Sequence, residues 1–195
     1  MTRHILTAIS VLFLLPAGIA AHKSKSVPPK SSPTAAINFY VRQIDRFMKR
    51  TNKRRRLFGN VGKDTDDWRP LKEKPAKGET DPADLNELAY VWTKEGKVVA
   101  VGFEFQSDSR DWGHIVTCYF RDDGTLAKIH ARLNTFYGDV TRIRDDYYNS
   151  NGKLLRTTMK YRDVQTQKPK KNPNYQEEPI PVYLSVRALP FFKSL

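Results

Sequence analysis

The sequence has 195 residues, with 34 Lys and Arg residues against 21 Asp and Glu residues, which gives a formal net charge of +13 at neutral pH. Its 39% of hydrophobic residues is too high for a wholly disordered chain, and its length suits one domain. The single Cys excludes an intramolecular disulfide framework and a cysteine-rich zinc site. The positive charge favours anionic partners but does not indicate a fold.

Residues 1–21 are predicted to be a secretory signal peptide. The basic residues Arg3 and His4 come first, residues 5–15 are almost entirely apolar, and small residues follow up to Ala21. The apolar run is shorter than the roughly 20 residues that a transmembrane helix needs. We therefore expect cleavage after Ala20 or Ala21, no transmembrane span after cleavage, and a secreted or periplasmic protein.

The mature chain is predicted to be a single α+β domain over residues 34–195, after a flexible leader rich in Lys, Ser and Pro over 22–33. Ser32 suits an N-cap and Pro33 the first helical position, so an amphipathic helix is predicted over 34–57. Residues 58–86 contain many Gly, Pro, Asp and Lys residues and are interpreted as a loop-rich connection. The apolar stripe of the helix has spacings of three and four residues and consists of Ile37, Tyr40, Val41, Ile44, Phe47 and Met48.

Residues 87–162 carry three repeats of 28 residues, each built around a turn glycine. Gly96, Gly124 and Gly152 each follow an aromatic residue by four positions and precede Val or Leu by two. This frame resembles the Tyr-x-x-x-x-Gly-x-Leu hairpin repeats of many bacterial surface and exported proteins, a resemblance that implies hairpins and no particular activity. Each turn is predicted to be a three-residue loop, which pairs Thr93 with Lys97 and continues the same pattern in the other two hairpins.

The predicted fold is an N-terminal amphipathic helix packed on a six-stranded antiparallel β-meander of three hairpins. Period two places alternate residues on one core face, which the helix is expected to cover. Residues 163–195 are predicted to be an extended tail, with 181–186 as an alternative seventh strand and 189–192 docked on an apolar patch. The predicted core face includes Ala89, Val91, Val99, Val101, Phe103, Phe105, Ile115, Thr117, Tyr119, Ala127, Ile129, Ala131, Leu133, Ile143, Tyr147, Leu155, Thr157, Met159 and Tyr161.

The opposite face is predicted to be a ligand surface, because aromatic residues lie near the turns and basic residues lie farther along the strands. Such a face suits an anionic or amphipathic ligand such as a fatty acid, a lipid or an acidic glycan. The residues assigned to it are Trp92, Phe120, Lys128, His130, Arg132, Arg142, Arg144, Tyr148, Arg156 and Lys160.

The basic end of the helix is a second predicted surface for binding anions. Cations are favoured at a helix C-terminus in any case, and a run of them also attracts phosphates and anionic headgroups. Export argues against nucleic acid as the partner. The residues are Lys49, Arg50, Lys53, Arg54, Arg55 and Arg56.

Two other functions remain open. Trp112, Phe136 and Tyr137 lie between the hairpins and suit a protein-interaction or inhibitor module. Asp111 and His114, near Asp108, suit a hydrolase site. Because no catalytic motif is present, the sequence favours a non-enzymatic binding or envelope-associated protein with no cofactor and no metal. Cys118 lies in an apolar strand pattern and is expected to be a buried thiol.

Overall fold

The computed structural model describes residues 32–62, 65–171, 173–175 and 177–195. The predicted signal peptide, and all of the predicted leader except its last two residues, lie outside them. The described residues form one α-helix and one eight-stranded antiparallel sheet in the order β2-β1-β3-β4-β5-β6-β7-β8. The strands are β1 (Arg56–Asn60), β2 (Trp68–Leu71), β3 (Glu87–Lys94), β4 (Lys97–Gln106), β5 (Trp112–Phe120), β6 (Leu126–Thr135), β7 (Val140–Tyr148) and β8 (Leu154–Asp163).

The antiparallel meander with a single helix is confirmed, whereas the predicted count of six strands is wrong. β2 and residues 58–60 of β1 lie in the segment interpreted as a loop, and the first two residues of β1 lie in the range predicted as helix. The two strands are too short, at five and four residues, for period two to reveal them. Pro70 is tolerated because β2 is an edge strand, where a missing N–H costs no ladder hydrogen bond. Residues 181–186 form no strand, and Ser185 makes only an isolated bridge to Thr125.

The helix α1 (Pro33–Thr51) forms where its capping signals predict it. The Ser32 side chain accepts a hydrogen bond from the Ala35 amide at 3.3 Å, and Pro33 occupies the first turn. A 3-10 turn, Asn52–Arg54, follows the helix and leads into β1. Ile37, Val41 and Ile44 form the buried side of α1.

The second and third hairpin turns have the predicted three-residue form, and the first does not. Arg121 N donates to Thr125 O at 2.8 Å, and Gly124 has a φ of 80°. In the first hairpin Lys94 pairs with Lys97, so the loop is only Glu95-Gly96. Both of these residues have positive φ, as a two-residue type I′ turn requires.

Each of the three hairpins contains a one-residue bulge three positions after its turn glycine. The register shifts beside Trp92, Tyr119 and Tyr147, so the second strand has an extra residue each time. One extra residue reverses the alternation of faces. The predicted face assignment is therefore wrong for β5 and β7, whereas β3, β6, β8 and the outer part of β4 keep theirs. The extra residues are Val99, Ala127 and Leu155.

The two faces of the sheet have different covers. The tail face, which carries Ala89, Phe103 and Cys118, packs against Leu189 and Phe191 of the C-terminal segment. The predicted docking of 189–192 is thus confirmed for these two residues. The helix face packs against α1 and not, as predicted, the face with Ala89 and Phe103. Its buried residues under the helix are Trp92, Val99, Ala100, Tyr119, Ala127 and Tyr147.

Candidate functional site

The ten residues predicted to form one ligand surface lie on two opposite faces. The bulges turn β7 over, so its basic residues point toward the tail face. The prediction of a single basic-aromatic face is therefore wrong. Trp92, Lys128, His130, Arg132, Arg156 and Lys160 lie on the helix face, and Phe120, Arg142, Arg144 and Tyr148 lie on the tail face.

The tail-face cations are bound within the protein. Arg142 is fully buried, and its Nη1 lies 2.6 Å from Glu177 Oε1 in the C-terminal segment. Arg144 Nη2 lies 3.0 Å from Asp146 Oδ2, and this hydrogen-bonded pairing raises the pKa of Arg144. Arg142 thus holds the tail on the sheet, and Arg144 has its main carboxylate partner in its own strand, with Glu177 of the tail at 3.8 Å.

Two of the helix-face cations share one carboxylate partner, Asp145. Lys128 Nζ lies 2.9 Å and His130 Nδ1 lies 2.7 Å from Asp145 Oδ1. Burial alone would raise the pKa of Asp145, but the hydrogen bonds from His130 and Lys128 lower it below its usual range. Trp92 is buried under α1. Arg132, Arg156 and Lys160 are exposed, and no carboxylate of the described residues pairs with them.

The basic helix end retains most of its free charge. Arg55 binds Glu73 at 3.2 Å and lies 4.0 Å over the Tyr90 ring. Arg56 donates to the carbonyl oxygens of Ser194 and Leu195 at 2.5 and 3.0 Å. The other four members of the run are exposed and form no ion pair within the described ranges. They are Lys49, Arg50, Lys53 and Arg54.

This basic end borders a concave site, here called the helix groove, with a volume of about 440 Å³. Three cations line it: Arg46 and Arg50 from α1, and Lys94 from the end of β3. Asp122 is the one carboxylate among its described lining residues. The formal charge of the lining is therefore +2, and aromatic side chains adjoin it. The groove thus combines positive charge with apolar surface.

The aromatic side of the helix groove consists of Tyr40 and Phe47. The Tyr40 hydroxyl donates to the Phe120 carbonyl oxygen, which ties α1 to the second hairpin. Burial, with a smaller effect of Asp122, raises the pKa of Tyr40 to about 12, so the ring stays neutral. Arg46 and Lys94 were not predicted as site residues. Arg46 had a readable signal, because it precedes Arg50 by four residues on the same side of a helix.

The residues of the possible hydrolase site do not come together as a catalytic pair. His114 is buried, whereas Asp111 is exposed and accepts a hydrogen bond from Ser107 at 2.6 Å. Asp108 accepts from Asn86. Among the hydrogen bonds of the described residues, none joins His114 to either carboxylate. Cys118 is fully buried, and burial raises its pKa to about 12, which keeps the thiol protonated.

Comparison with known proteins gives no relative: no family model, curated protein or solved structure matches the chain significantly. None of the described helices is long and apolar enough to span a bilayer. The described residues also contain no group of three or more His, Cys, Asp or Glu side chains placed to bind a metal ion.

Proposed function

We propose that this chain is an exported, non-enzymatic binding protein that holds an anionic partner, either an anionic lipid surface or an acidic polymer of the cell envelope. The observation that carries the proposal is the convergence of Arg46, Arg50 and Lys94 on the helix groove, with Asp122 as the one opposing carboxylate among the described lining residues. Among the described residues Arg46 and Arg50 form no ion pair, and Lys94 contacts only the exposed Glu95, at 4.0 Å, so most of this charge is available for an external anion.

An extended partner is favoured over a small ion because the exposed cations are spread along one side of the molecule. The helix lies on the helix face, so its outer side and the uncovered part of that face point the same way. Arg132, Arg156 and Lys160 belong to this uncovered part. A planar or polymeric anion would contact both groups of cations at once.

The experiment measures binding to vesicles of equal parts phosphatidylglycerol and phosphatidylcholine, and in parallel to heparin. We expect binding at low salt that weakens as salt rises. The double substitution Arg46→Gln/Arg50→Gln should weaken vesicle binding about thirtyfold, from about 1 kcal/mol per basic residue near a membrane surface.

The control is Arg69→Gln/Lys72→Gln, which removes the same charge from residues already paired with Asp67 and Glu79. It should change vesicle binding by no more than about twofold, because the charge of each of these surface cations is already offset by its carboxylate partner. Equal losses in the two double variants would mean that net charge alone drives binding. Absence of binding to both vesicles and heparin at low salt would overturn the proposal.

A protein-interaction module is the second candidate, supported by the exposure of Phe136 and Tyr137 on the loop between β6 and β7. Adjacent exposed aromatic residues are typical anchors of protein interfaces. The vesicle assay separates the two functions, because Phe136→Ser/Tyr137→Ser leaves every cation of the helix groove in place.

A further inference from the structure

A second cavity, here called the His114 pocket, lies at the other end of the strands from the helix groove. Its volume is about 590 Å³, within the range of about 300–1,000 Å³ typical of small-molecule sites. It lies where β3 and β5 begin and β4 ends, beside residues 178–181 and 183 of the C-terminal segment. Four large aromatic side chains form much of its wall: Trp68, Phe105, Trp112 and Tyr183.

The charge of this pocket is opposite to that of the whole chain. Asp66, Glu87, Asp108 and Glu178 line it, and no Lys or Arg is among the described lining residues. Within the described ranges none of these four carboxylates forms an ion pair. A protein with a net charge of +13 thus has an uncompensated negative pocket.

Neutral amides hold two of these carboxylates in position. Asn60 Nδ2 donates to Glu87 Oε2 at 2.9 Å, and Asn86 Nδ2 donates to Asp108 Oδ1. An amide orients a carboxylate through its N–H without neutralising the charge. The negative charge therefore remains available to a ligand in the pocket.

His114 supplies a second, independent indication of a ligand. The residue is 1% exposed and lines the pocket, and its Nε2 lies 3.4 Å from Arg142 Nη2. A guanidinium only donates hydrogen bonds, so Nε2 accepts and the proton of the neutral ring lies on Nδ1. No hydrogen bond in the described part of the chain uses Nδ1. Because His114 lines the pocket, this N–H can donate to a ligand that carries an acceptor.

We propose that the His114 pocket binds a small organic cation, with an ammonium group toward the four carboxylates and an apolar or aromatic body against the tryptophans. Aromatic faces attract such cations directly, in addition to the carboxylates. Glu177 binds Arg142 Nη1 at 2.6 Å and so offsets part of the Arg142 charge beside the pocket. An acceptor on the ligand would lie beside His114 Nδ1 and would add to the binding that the ammonium group and the apolar body provide.

The test compares three probes of one shape and different charge: phenylbutylammonium, phenylbutanol and phenylbutanoate. Calorimetric titration of the full chain should give saturable binding of the ammonium probe. The alcohol should bind about tenfold more weakly or worse, since loss of one charge-assisted interaction corresponds to about that factor. The carboxylate probe should not bind. Equal affinity for the ammonium and carboxylate probes, or no saturation by the ammonium probe at millimolar concentration, would overturn the proposal.

The double variant Glu87→Gln/Asp108→Asn should weaken phenylbutylammonium binding at least about tenfold. The control Glu104→Gln removes an exposed carboxylate from the helix face of β4, the opposite side of the sheet, and should leave the affinity unchanged. Equal affinity of the double variant and this control would contradict the proposal. Circular dichroism verifies that each variant folds, and the three-probe comparison on the unsubstituted chain decides the question if one does not. The Arg46→Gln/Arg50→Gln variant should retain this binding.

Discussion

His114 is a buried imidazole with a permanently charged neighbour. Burial removes the hydration of the charged ring and Arg142 repels it, so the pKa falls from 6.5 to about 4. The unfolded chain still titrates near its ordinary value. Between about pH 6.5 and pH 4 the unfolded state therefore binds more protons than the folded state, and the free energy of unfolding decreases as pH is lowered. The full shift corresponds to about 3 kcal/mol.

The substitution His114→Gln tests this link between one residue and stability. Gln provides an oxygen that accepts the Arg142 hydrogen bond but does not titrate. Denaturant unfolding at neutral pH and at about pH 4.5 should show that the unsubstituted chain loses about 2 kcal/mol more than the variant over this interval. Carboxylates that titrate in the same range contribute equally to both proteins. An equal loss in the two proteins would contradict a lowered pKa of His114.

At the scale of elements, the glycines predicted the hairpins correctly and the bulges decided which side chains face inward. Gly124 and Gly152 sit in turns that need a positive φ, which a sequence reveals. The extra residues are Val99, Ala127 and Leu155, which are ordinary apolar strand residues and carry no Gly or Pro signal. A strict two-residue alternation through these positions therefore assigns β5 and β7 to the wrong face.

Prediction of the candidate site likewise required knowledge of which residues meet in the folded chain. The sequence identified most of the cations but not which of them are neutralised, because the partners come from distant segments. Glu177 binds Arg142 from 35 residues away, and Asp145 binds His130 from 15 residues away. The groove residue Lys94 was also missed, because only the packing of α1 beside the first hairpin brings it near Arg46.

Deletion of Ala127 tests the role of the bulges. Without the extra residue, every later position of β6 shifts by one relative to β5, and Ile129 and Ala131 no longer point toward the tail face. Typical domains are stable by only about 5–15 kcal/mol, so we expect that exposing these buried side chains leaves no cooperative thermal transition. The control is deletion of Lys74, an exposed residue between β2 and β3, which should keep a cooperative transition. Comparable melting curves for both deletions would show that the bulge is dispensable.

At the scale of the whole molecule, the C-terminal segment completes the main core. Leu189 and Phe191 are buried on the tail face, more than 90 positions after Ala89 on the same face. The same segment carries Glu177 to Arg142 and provides Glu178 and Tyr183 to the His114 pocket. The last residues of the chain therefore contribute both to folding and to the proposed pocket.

Phe191→Ala tests this contribution. The ring stacks on Phe58 with centroids 4.5 Å apart and lies 5.5 Å from Trp68, and the residue is 2% exposed. Truncation leaves a cavity among aromatic rings, so denaturant unfolding should show a loss of about 3–5 kcal/mol. The adjacent Phe192 is 40% exposed, and Phe192→Ala should cost no more than about 1 kcal/mol. Similar losses for the two substitutions would mean that the segment rests loosely on the sheet, and the tail face would then need another cover.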